Sequence, residues 1–405
     1  MADIASFHHS SPLRAPRSDI FLPVNRRLLA IVGALVLTAF ISSAASGGDY
    51  MGKREFWSVQ RHGTNCFNEK VTQDWWDAAR HAGIEFVRLA PNKWLTSHRD
   101  FLLGNADHFE PDSLVEKDLA QLDAVLDDAQ DAGVPVVLTM LSLPGARWRQ
   151  QNGDKFDLRL WHDSTYWVQS ARFWQKLAMH LKDRPDVVGY NILNEPIPEK
   201  AVADRTVLNR FYAIVIAFIR EVDSSTPIIL DGGEWASPTG LAAITPVDDA
   251  NVLYSFHFYE PWEYTNLNAN DGRLTYPGWV ILDSGDTVRL DMNYVYRALL
   301  PVAQWQDCHG IAENRILLGE FGCNRRCGGA AAYLHDLIGA VQVNHWHWAF
   351  YSFREDTWDG MDYELGARPP GAAYWDAKER GENVNLPRDP DNPIWHEITE
   401  GLRER

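Results

Sequence analysis

The sequence predicts a single (β/α)₈ TIM barrel preceded by a short N-terminal targeting segment. Short β-prone runs alternate with longer amphipathic helical patterns from about residue 56 to the end of the 405-residue chain. This alternation is typical of parallel strands joined by helical crossovers. There are eight such runs, the number that closes a barrel. A Gly-rich phosphate turn after an early strand would favour the rival open, doubly wound sheet, and the sequence has none.

Residues 1–45 differ from the rest of the chain. Four arginines precede a 14-residue apolar run, LLAIVGALVLTAFI, which ends in the small residues SSAAS. This order is typical of a secretory signal peptide, and the run is short for a membrane-spanning helix. We therefore expect a signal peptide over 1–45, with an uncleaved signal anchor as the alternative. The protein is then expected to be secreted or periplasmic, and residues 46–405 to form one domain.

The eight expected strands follow one another along that domain. They lie in WSVQRHGTNCF, IEFVRLA, VPVVLTML, VVGYNILNE, PIILDGG, NVLYSFHFY, RILLGEFG and HWHWAFYSF. The segments between them, such as SLVEKDLAQLDAVLDDAQDAG, carry Leu and Val at helical spacing and close on Gly. Insertions at 94–113 and 260–286 follow the second and sixth strands. Both are expected at the carboxyl-terminal face of the barrel, where barrel active sites are built.

Charge and cysteine content narrow the possible ligands. The formal net charge is −17, and it is −19 without residues 1–45, which carry four Arg against two Asp. So acidic a chain is not expected to bind nucleic acid or anionic lipid, since both rely on Lys and Arg contacts. An exported chain can keep disulfides, and Cys323 could pair with Cys327 or Cys308, although pairing that includes Cys66 stays open. The CxxxC spacing is weak evidence for zinc, so no metal or organic cofactor is expected.

Two glutamates are the candidate catalytic residues. Glu195 in NILNEP and Glu320 in LLGEFG end the fourth and seventh strands. Glycoside hydrolysis needs two carboxyl groups, one protonated as an acid and one ionised, and a separation of about 5–5.5 Å gives retention. Asn194 could donate to a sugar hydroxyl, and Pro196 should end the strand and fix the direction of Glu195. The alternative is that each Glu only caps the helix that follows it.

With these motifs the sequence resembles glycoside hydrolase family 5, a cellulase family in a clan of barrels with catalytic Glu on strands four and seven. The resemblance covers nearly all of the chain after the targeting segment, and it implies a glycoside hydrolase catalytic domain. It implies that Glu195 is the acid/base and Glu320 the nucleophile. Arg88 in IEFVRLA matches the family's Arg on strand two, and His257 and Tyr259 match its His-x-Tyr on strand six.

The matched residues also have roles that chemistry alone suggests. Arg88 is a permanent cation whose planar fork can orient Glu320 and keep it ionised. Tyr259 could donate to the same carboxylate, and His257 could bind the substrate or tune the acid. The structural alternatives are a buried salt bridge for Arg88 and ordinary core positions for His257 and Tyr259.

Two positions depart from the family pattern, and both concern substrate contacts. Leu141 in TMLSLPGARW stands where the family has a His, so one sugar-binding donor is missing or comes from elsewhere. Tyr351 stands where the family has a Trp beneath the cleaved sugar, with Trp348 three residues earlier. Aromatic faces pack on sugar rings, so Trp94, Trp262 and Trp348 at strand ends are subsite candidates. Four other tryptophans on helix patterns are expected in the core: Trp75, Trp76, Trp167 and Trp174.

The sequence thus predicts a retaining β-glycosidase acting on a β-linked oligo- or polysaccharide, first of all an endo-β-1,4-glucanase. The alternatives are a β-mannanase or an exo-β-glucosidase on the same barrel, or a non-catalytic carbohydrate-binding accessory of polysaccharide export. A monomer is expected, and endo versus exo action stays open. The expected substrate-binding residues are Arg88, Asn194, His257, Tyr259, Trp262, Trp348 and Tyr351.

Overall fold

The structure is a computed structural model that describes residues 52–68, 70–94, 99–104, 114–267, 272–355, 360–369, 371–380 and 387–404. The predicted targeting segment, residues 1–45, lies outside this part of the chain, and so does most of the insertion at 94–113. The signal peptide therefore stays a prediction. Within the described ranges, no helix combines the length and the apolar character that crossing a bilayer requires.

Eight parallel strands close into a barrel, as the sequence predicts. Going round the barrel, the strands stand in the order β1, β2, β3, β4, β5, β6, β9 and β10, and β10 pairs with β1. An antiparallel hairpin of β7 and β8 belongs to the insertion that follows β6. The strands are β1 His62–Cys66, β2 Phe86–Leu89, β3 Val136–Thr139, β4 Val187–Asn191, β5 Ile228–Asp231, β6 Val252–Phe258, β7 Gly278–Ile281, β8 Thr287–Leu290, β9 Ile316–Phe321 and β10 His347–Phe350.

Helices connect the strands, and several end where the sequence has Gly. Gly133, for example, ends the helix Glu116–Ala132 in a left-handed conformation, φ 70°, which costs a residue without Cβ little. The α-helices are Lys53–Phe56, Gln73–Ala82, Glu116–Ala132, Arg159–His162, Thr165–Leu181, Val207–Arg220, Gly233–Ala236, Pro238–Ala242, Trp262–Thr265, Met292–His309, Ala330–Val343, Ala372–Glu379 and Pro393–Arg403. Short 3₁₀ turns are Pro91–Trp94, Arg149–Gln151, Pro198–Lys200, Glu313–Arg315 and Tyr363–Leu365.

The amino-terminal end of the barrel is filled by apolar side chains, which we call the barrel floor. The indole of Trp57, just after the first helix, donates from Nε1 to the carbonyl oxygen of Val188 at 2.8 Å. Burial of these side chains supplies most of their stabilising free energy. The floor consists of Phe56, Trp57, Phe86, Val137, Val188, Ile229, Leu253, Leu317 and Ala349. The polar site described below lies at the opposite end of the same strands.

A second apolar layer lies between the strands and the surrounding helices. All four tryptophans that the helix patterns assigned to the core are buried there, as predicted: Trp75, Trp76, Trp167 and Trp174. They share this layer with aliphatic side chains from the helices and from the outward-facing strand positions. This layer, together with the floor, fixes the strands whose far ends hold the polar site.

The cysteines do not form the predicted disulfide. Cys308, Cys323 and Cys327 are free thiols, and Cys308 is exposed whereas the other two are buried. The Cys327 thiol lies 3.1 Å from the carbonyl oxygen of Tyr264, to which it donates. Burial raises the pKa of Cys327 to about 12 and that of Cys323 well above its usual value. Both sulfurs are therefore protonated at neutral pH and behave as small buried side chains.

Candidate active site

Polar side chains gather at the carboxyl-terminal face of the barrel. Each lies at or near the carboxyl end of a different strand, and parallel strands bring those ends to one face. Buried polar groups are costly unless they are hydrogen-bonded, so six of them in one place require a complete network. The six are Asn65, Arg88, Asn191, Asp231, His257 and Glu320.

Arg88 is the centre of that network, and all five of its N–H groups have an acceptor. Its side chain is fully buried, and its guanidinium carbon lies 5.2 Å from the ring centroid of Phe67. The five hydrogen bonds are 2.7 to 3.2 Å long, one from Nε and two each from Nη1 and Nη2. The five acceptors are Asn65, Asn191, Asn194, Asp231 and Glu320. The cation is thus held in one orientation and neutralised by nearby carboxylates.

Glu320, on β9, has both carboxylate oxygens fixed by donors. Oε1 accepts from Arg88 Nη1 at 2.7 Å, and Oε2 accepts from the Tyr259 hydroxyl at 3.0 Å. Only 5% of the residue is exposed. Both partners that the sequence assigned to this carboxylate lie next to it. A hydrogen bond from a guanidinium favours the ionised form of a carboxyl group, so Glu320 is arranged to carry a charge.

Glu195 lies outside the strand that the sequence assigned to it. β4 ends at Asn191, four residues earlier, so the expectation of a strand that runs to Glu195 was wrong. Beyond the strand, Asn194 bonds two other segments: its side chain accepts from Arg88 Nη2, and its N–H donates to the carbonyl oxygen of Met140 at 2.9 Å. Glu195 has φ 49°, a left-handed conformation that side chains rarely adopt.

The two glutamates meet across His257. His257 Nδ1 lies 3.0 Å from Glu195 Oε1 and 3.8 Å from Glu320 Oε1. One oxygen of each carboxyl group and a His257 nitrogen all lie within 4.8 Å of one another. Burial lowers the pKa of His257, so the imidazole is neutral at pH 7 and hydrogen-bonds Glu195 without adding a charge.

The two carboxyl groups lie in different electrostatic environments. Burial, together with the charge of Asp231, raises the pKa of Glu195 to about 8, against the opposing charges of Arg88 and Lys93. Burial also raises the pKa of Glu320, and the charge and hydrogen bond of the Arg88 guanidinium oppose that rise. The N–H groups of Arg88 are all taken by other acceptors, Glu320 among them, so Glu195 receives none. Arg88 therefore favours the ionised form of Glu320 through a direct hydrogen bond, and it gives no such bond to Glu195.

Glu195, His257 and Glu320 are also close enough together to hold a metal ion. Their other bonds make a poor cation site. Glu320 Oε1 already faces the guanidinium of Arg88 at 2.7 Å, and a second cation at that oxygen would be repelled. Glu195, His257 and Glu320 are therefore better suited to sharing a proton than to binding a metal ion.

Asp231 is a site residue that the sequence reasoning missed. Its Oδ2 accepts from Arg88 Nη2 at 3.2 Å and from the backbone N–H of Glu195 at 3.3 Å, and it lies 3.5 Å from His257 Nε2. It therefore ties the loop of Glu195 to the charged centre. The signal was present in PIILDGG, where an apolar run ends on a carboxylate just as in NILNEP.

A cleft of about 880 Å³ opens above these residues, and most of the predicted substrate-binding side chains line it. Trp262 is 54% exposed, which leaves a ring face available at the cleft wall. Tyr351 is buried, and its hydroxyl accepts from Asn68 Nδ2 at 2.7 Å. The predicted residues that line the cleft are Asn194, Glu195, His257, Tyr259, Trp262, Glu320 and Tyr351.

Two tryptophans that the sequence predicted to stack on sugar rings, Trp348 and Trp94, do not line the cleft, so this prediction was wrong. Trp348 is fully buried outside the barrel wall, stacked on His62 with ring centroids 4.6 Å apart. Neighbouring residues of a strand point to opposite faces, so Trp348 faces the helices while Ala349 faces the floor. Trp94 is only partly buried, but it packs edge-on against Phe101 in the outer core and does not line the cleft.

Leu141 lines the cleft where the family pattern has a His. It is 2% exposed, packs with Phe67 and Tyr351, and donates only its backbone N–H, to Asn92 Oδ1 at 2.7 Å. Lys93 lines the same cleft and donates to Asn68 Oδ1 at 2.8 Å. The turn after β2 therefore supplies a cationic donor that the sequence reasoning did not identify.

Comparison with known proteins agrees with the geometry. The model of the family described as Cellulase (glycosyl hydrolase family 5) matches residues 50–357. The chain belongs to glycosyl hydrolase family 5. The matched range includes Glu195 and Glu320.

Relatives in the family are distant in sequence. Endoglucanase C of Acetivibrio thermocellus is 25% identical over 204 residues, which are 50% of this chain and 54% of that protein. A beta-xylosidase of Phanerodontia chrysosporium is 26% identical over 251 residues, 61% of this chain and 46% of that protein. The chain thus spans about half the length of these relatives. The endoglucanase Cel5A of Thermotoga maritima shares the fold, with a TM-score of 0.60 at 17% identity, covering 87% of this chain and 100% of that one.

Proposed function

We propose that the protein is a retaining β-glycosidase in which Glu320 is the nucleophile and Glu195 the acid/base. The observation that carries this proposal is the unequal carboxyl pair. Oxygens of Glu195 and Glu320 lie within 4.8 Å of each other, and only Glu320 is bonded to Arg88. That spacing fits direct attack on a sugar and leaves too little room for the water that inverting enzymes place between their carboxyl groups.

In the first step, a Glu320 oxygen forms a bond to the anomeric carbon while the glycosidic C–O bond breaks. The leaving oxygen keeps the bonding electron pair and takes the proton of Glu195. In the second step, the Glu195 carboxylate takes a proton from water, whose oxygen bonds to the anomeric carbon. The ester bond breaks and its electron pair returns to Glu320, so both carboxyl groups regain their initial states.

The favoured substrate is a β-1,4-linked glucan cleaved within the chain. The names of several relatives, which are endoglucanases, support this choice. The cleft has a volume of about 880 Å³, and its aromatic side chains suit neutral sugars. A β-mannanase, an exo-β-glucosidase and a non-catalytic carbohydrate-binding accessory of polysaccharide export are the alternatives. We further propose that the protein works outside the cytoplasm as a monomer, either released or anchored by residues 1–45.

The test compares wild type, Glu320→Gln and the exposed control Glu55→Gln on carboxymethylcellulose, cello-oligosaccharides and manno-oligosaccharides. Wild type and the control should release reducing sugar from the glucans, whereas Glu320→Gln should be at least about 1,000-fold slower. A β-mannanase would prefer the mannan series, and an exo-enzyme would release only short products from one end. Wild type that binds glucan and releases nothing would contradict the enzyme proposal.

Trapping the intermediate tests the assigned roles. A 2-deoxy-2-fluoro-β-cellobioside with a good leaving group should stop the reaction after the first step. Mass spectrometry should then find one fluorocellobiosyl group on the peptide that contains Glu320. A label on Glu195, or a first-formed product of inverted configuration, would contradict the mechanism.

A further inference from the structure

Glu355 is a buried carboxylate that the proposed reaction does not use. It follows β10 and is 2% exposed. The backbone N–H groups of Phe67 and Asn68 donate to it at 3.0–3.1 Å, and the side-chain Nδ2 of Asn68 donates to it at 3.1 Å. Burying a carboxylate is costly unless donors surround it, and these three groups offset that cost. Glu355 therefore fixes the segment that follows β1.

The position of Glu355 determines how the Asn68 amide is oriented. A carboxylate can only accept hydrogen bonds, and an ammonium can only donate them. Asn68 Nδ2 therefore faces Glu355, while Asn68 Oδ1 faces Lys93, whose Nζ donates to it at 2.8 Å. The same Nδ2 also donates to the Tyr351 hydroxyl at 2.7 Å. One amide thus connects a buried carboxylate to a cation and to a phenol.

These hydrogen bonds reach the cleft from three neighbouring loops. Glu355 follows β10, Asn68 follows β1 and Lys93 lies in the turn after β2, and the three strands are adjacent in the barrel. Lys93 and Tyr351 line the cleft. The turn that carries Glu355 is itself held, because Ser352 Oγ donates to the Glu355 carbonyl oxygen at 2.9 Å. Glu355 is therefore a fixed point from which the amide can orient the cation.

The charge of Lys93 links this network to the proposed acid. Burial lowers the pKa of Lys93, and the carboxylates of Glu355, Glu320 and Glu195 oppose that decrease, Glu355 most strongly of the three. Lys93 in turn lowers the pKa of Glu195. If the ammonium is displaced or loses its proton, Glu195 loses this stabilisation of its ionised form.

Three other groups also face Glu195. Arg88 lowers its pKa and Asp231 raises it, and the neutral imidazole of His257 is hydrogen-bonded to it. Substitution of Glu355 or Asn68 leaves all three side chains unchanged, so a change in the pKa of Glu195 reports on Lys93.

We propose that Glu355 is a positioning residue that, through the amide of Asn68, holds the ammonium of Lys93 in the cleft beside the catalytic carboxyl groups. Its role in the reaction rests on the hydrolase activity proposed above. Glu355→Gln keeps the shape of the side chain but replaces one acceptor with a donor. The Asn68 amide then has to turn its oxygen toward the new donor and its NH₂ group toward Lys93, where two donors repel each other.

The test measures kcat/KM on cellopentaose against pH for wild type, Glu355→Gln, Asn68→Ala and the exposed control Glu55→Gln. Asn68→Ala removes the connecting amide and leaves Glu355 with its backbone donors, so it carries the test if Glu355→Gln does not fold. Both substitutions are also combined with Lys93→Met. They should move the alkaline limb to higher pH by about half a unit and have no further effect when Lys93 is already replaced. Glu55→Gln should leave the limb in place.

The direction of the shift separates positioning from a direct effect of charge. Loss of the negative charge of Glu355 would by itself lower the pKa of Glu195 and move the limb to lower pH. A limb that moves to lower pH or stays in place, or a shift that adds to that of Lys93→Met, would overturn the positioning role.

An NMR titration of the lysine ε-carbons tests the network without catalysis. The Lys93 signal, assigned by its absence from Lys93→Met, should titrate at lower pH in Glu355→Gln and Asn68→Ala than in wild type, because the ammonium loses a nearby charge or an acceptor. An unchanged Lys93 pKa in both variants would overturn the inference. A wild type that shows this difference from the variants but hydrolyses no glucan would overturn only the proposed hydrolase activity.

Discussion

At the scale of single residues, the saturated guanidinium of Arg88 decides the chemistry of the site. Its five donors match five acceptors, and one of them is the carboxylate that must stay ionised. Lysine has three donors on one atom and cannot reach acceptors spread around a planar fork. The positive charge alone is therefore not sufficient at this position.

We expect Arg88→Lys to lower kcat/KM at least about 100-fold and to reduce the free energy of unfolding by about 3 kcal/mol, because buried acceptors lose their donors. Initial rates and urea unfolding measure both effects. Arg289→Lys, at an exposed arginine of the hairpin, should change neither. Near-normal activity of Arg88→Lys would show that the fork geometry is dispensable.

The pH dependence should follow the proton on Glu195. Its pKa of about 8 in the free enzyme predicts that kcat/KM falls above about pH 8, as the acid loses its proton. The charge of Lys93 lowers this pKa. Removing that charge destabilises the ionised form, so Lys93→Met should raise the pKa and move the alkaline limb to higher pH.

The measurement is kcat/KM against pH for wild type, Lys93→Met and the control Lys117→Met. Lys117 is exposed on the helix Glu116–Ala132, and its replacement should leave the limb unchanged. A limb that stays in place or moves to lower pH in Lys93→Met would contradict the electrostatic account.

At the scale of elements, the sequence predicted which segments are strands better than where they end or which way they face. Ile192 and Leu193 are buried and apolar, so periodicity extended β4 through them, although the strand ends at Asn191. Trp348 was misplaced because a one-residue change of register moves a strand side chain to the opposite face. Trp235, which lines the cleft, was missed because a left-handed turn made of Glu, Trp and Ala has no compositional signal.

Glu234, Trp235 and Ala236 form a left-handed turn just after β5, with φ values of 53°, 62° and 58°. The strain of its backbone can be tested separately from the loss of the Trp235 ring. Trp235→Gly and Trp235→Ala remove the same indole, but only Gly is free of the left-handed penalty. The Gly variant should therefore be more stable than the Ala variant by about 1 kcal/mol. Urea unfolding at a common pH gives the difference.

The hairpin offers a control with the opposite sign. Trp279 is an exposed strand residue in β7, where Gly is less favourable than Ala by roughly 0.5–1 kcal/mol. Trp279→Gly should thus be less stable than Trp279→Ala. The same order at both positions would contradict a left-handed strain at Trp235.

At the scale of the whole molecule, the barrel was predictable because its signal repeats eight times, and each strand–helix unit supports the others. The two carboxyl groups of the charged centre were predictable from local motifs, NILNEP for Glu195 and LLGEFG for Glu320. The side chains of Asn65 and Asn191 were not predictable, because their partner, Arg88, lies more than 20 positions away in the chain. The fold can thus be predicted from the repeated strand–helix pattern, whereas the hydrogen-bond partners of Arg88 are known only from the three-dimensional structure.

The barrel floor should contribute strongly to stability. Trp57→Ala removes a large buried side chain and its hydrogen bond to Val188, so the free energy of unfolding should fall by about 3–5 kcal/mol. Val59→Ala, two residues away and 54% exposed, should change it by less than about 0.5 kcal/mol. Chemical denaturation measures both. A small effect of Trp57→Ala would mean that the strands close without this side chain.

The barrel floor also determines the order in which the released fragment leaves and the water molecule enters. The nine apolar side chains of the floor close the amino-terminal end of the barrel to solvent. The water molecule of the second step therefore enters through the same cleft as the polymer. In the proposed reaction, the cleft is open to water only after the leaving-group fragment has dissociated. Slow departure would then delay hydrolysis of the ester and give an acceptor sugar time to intercept it, turning cleavage into transfer.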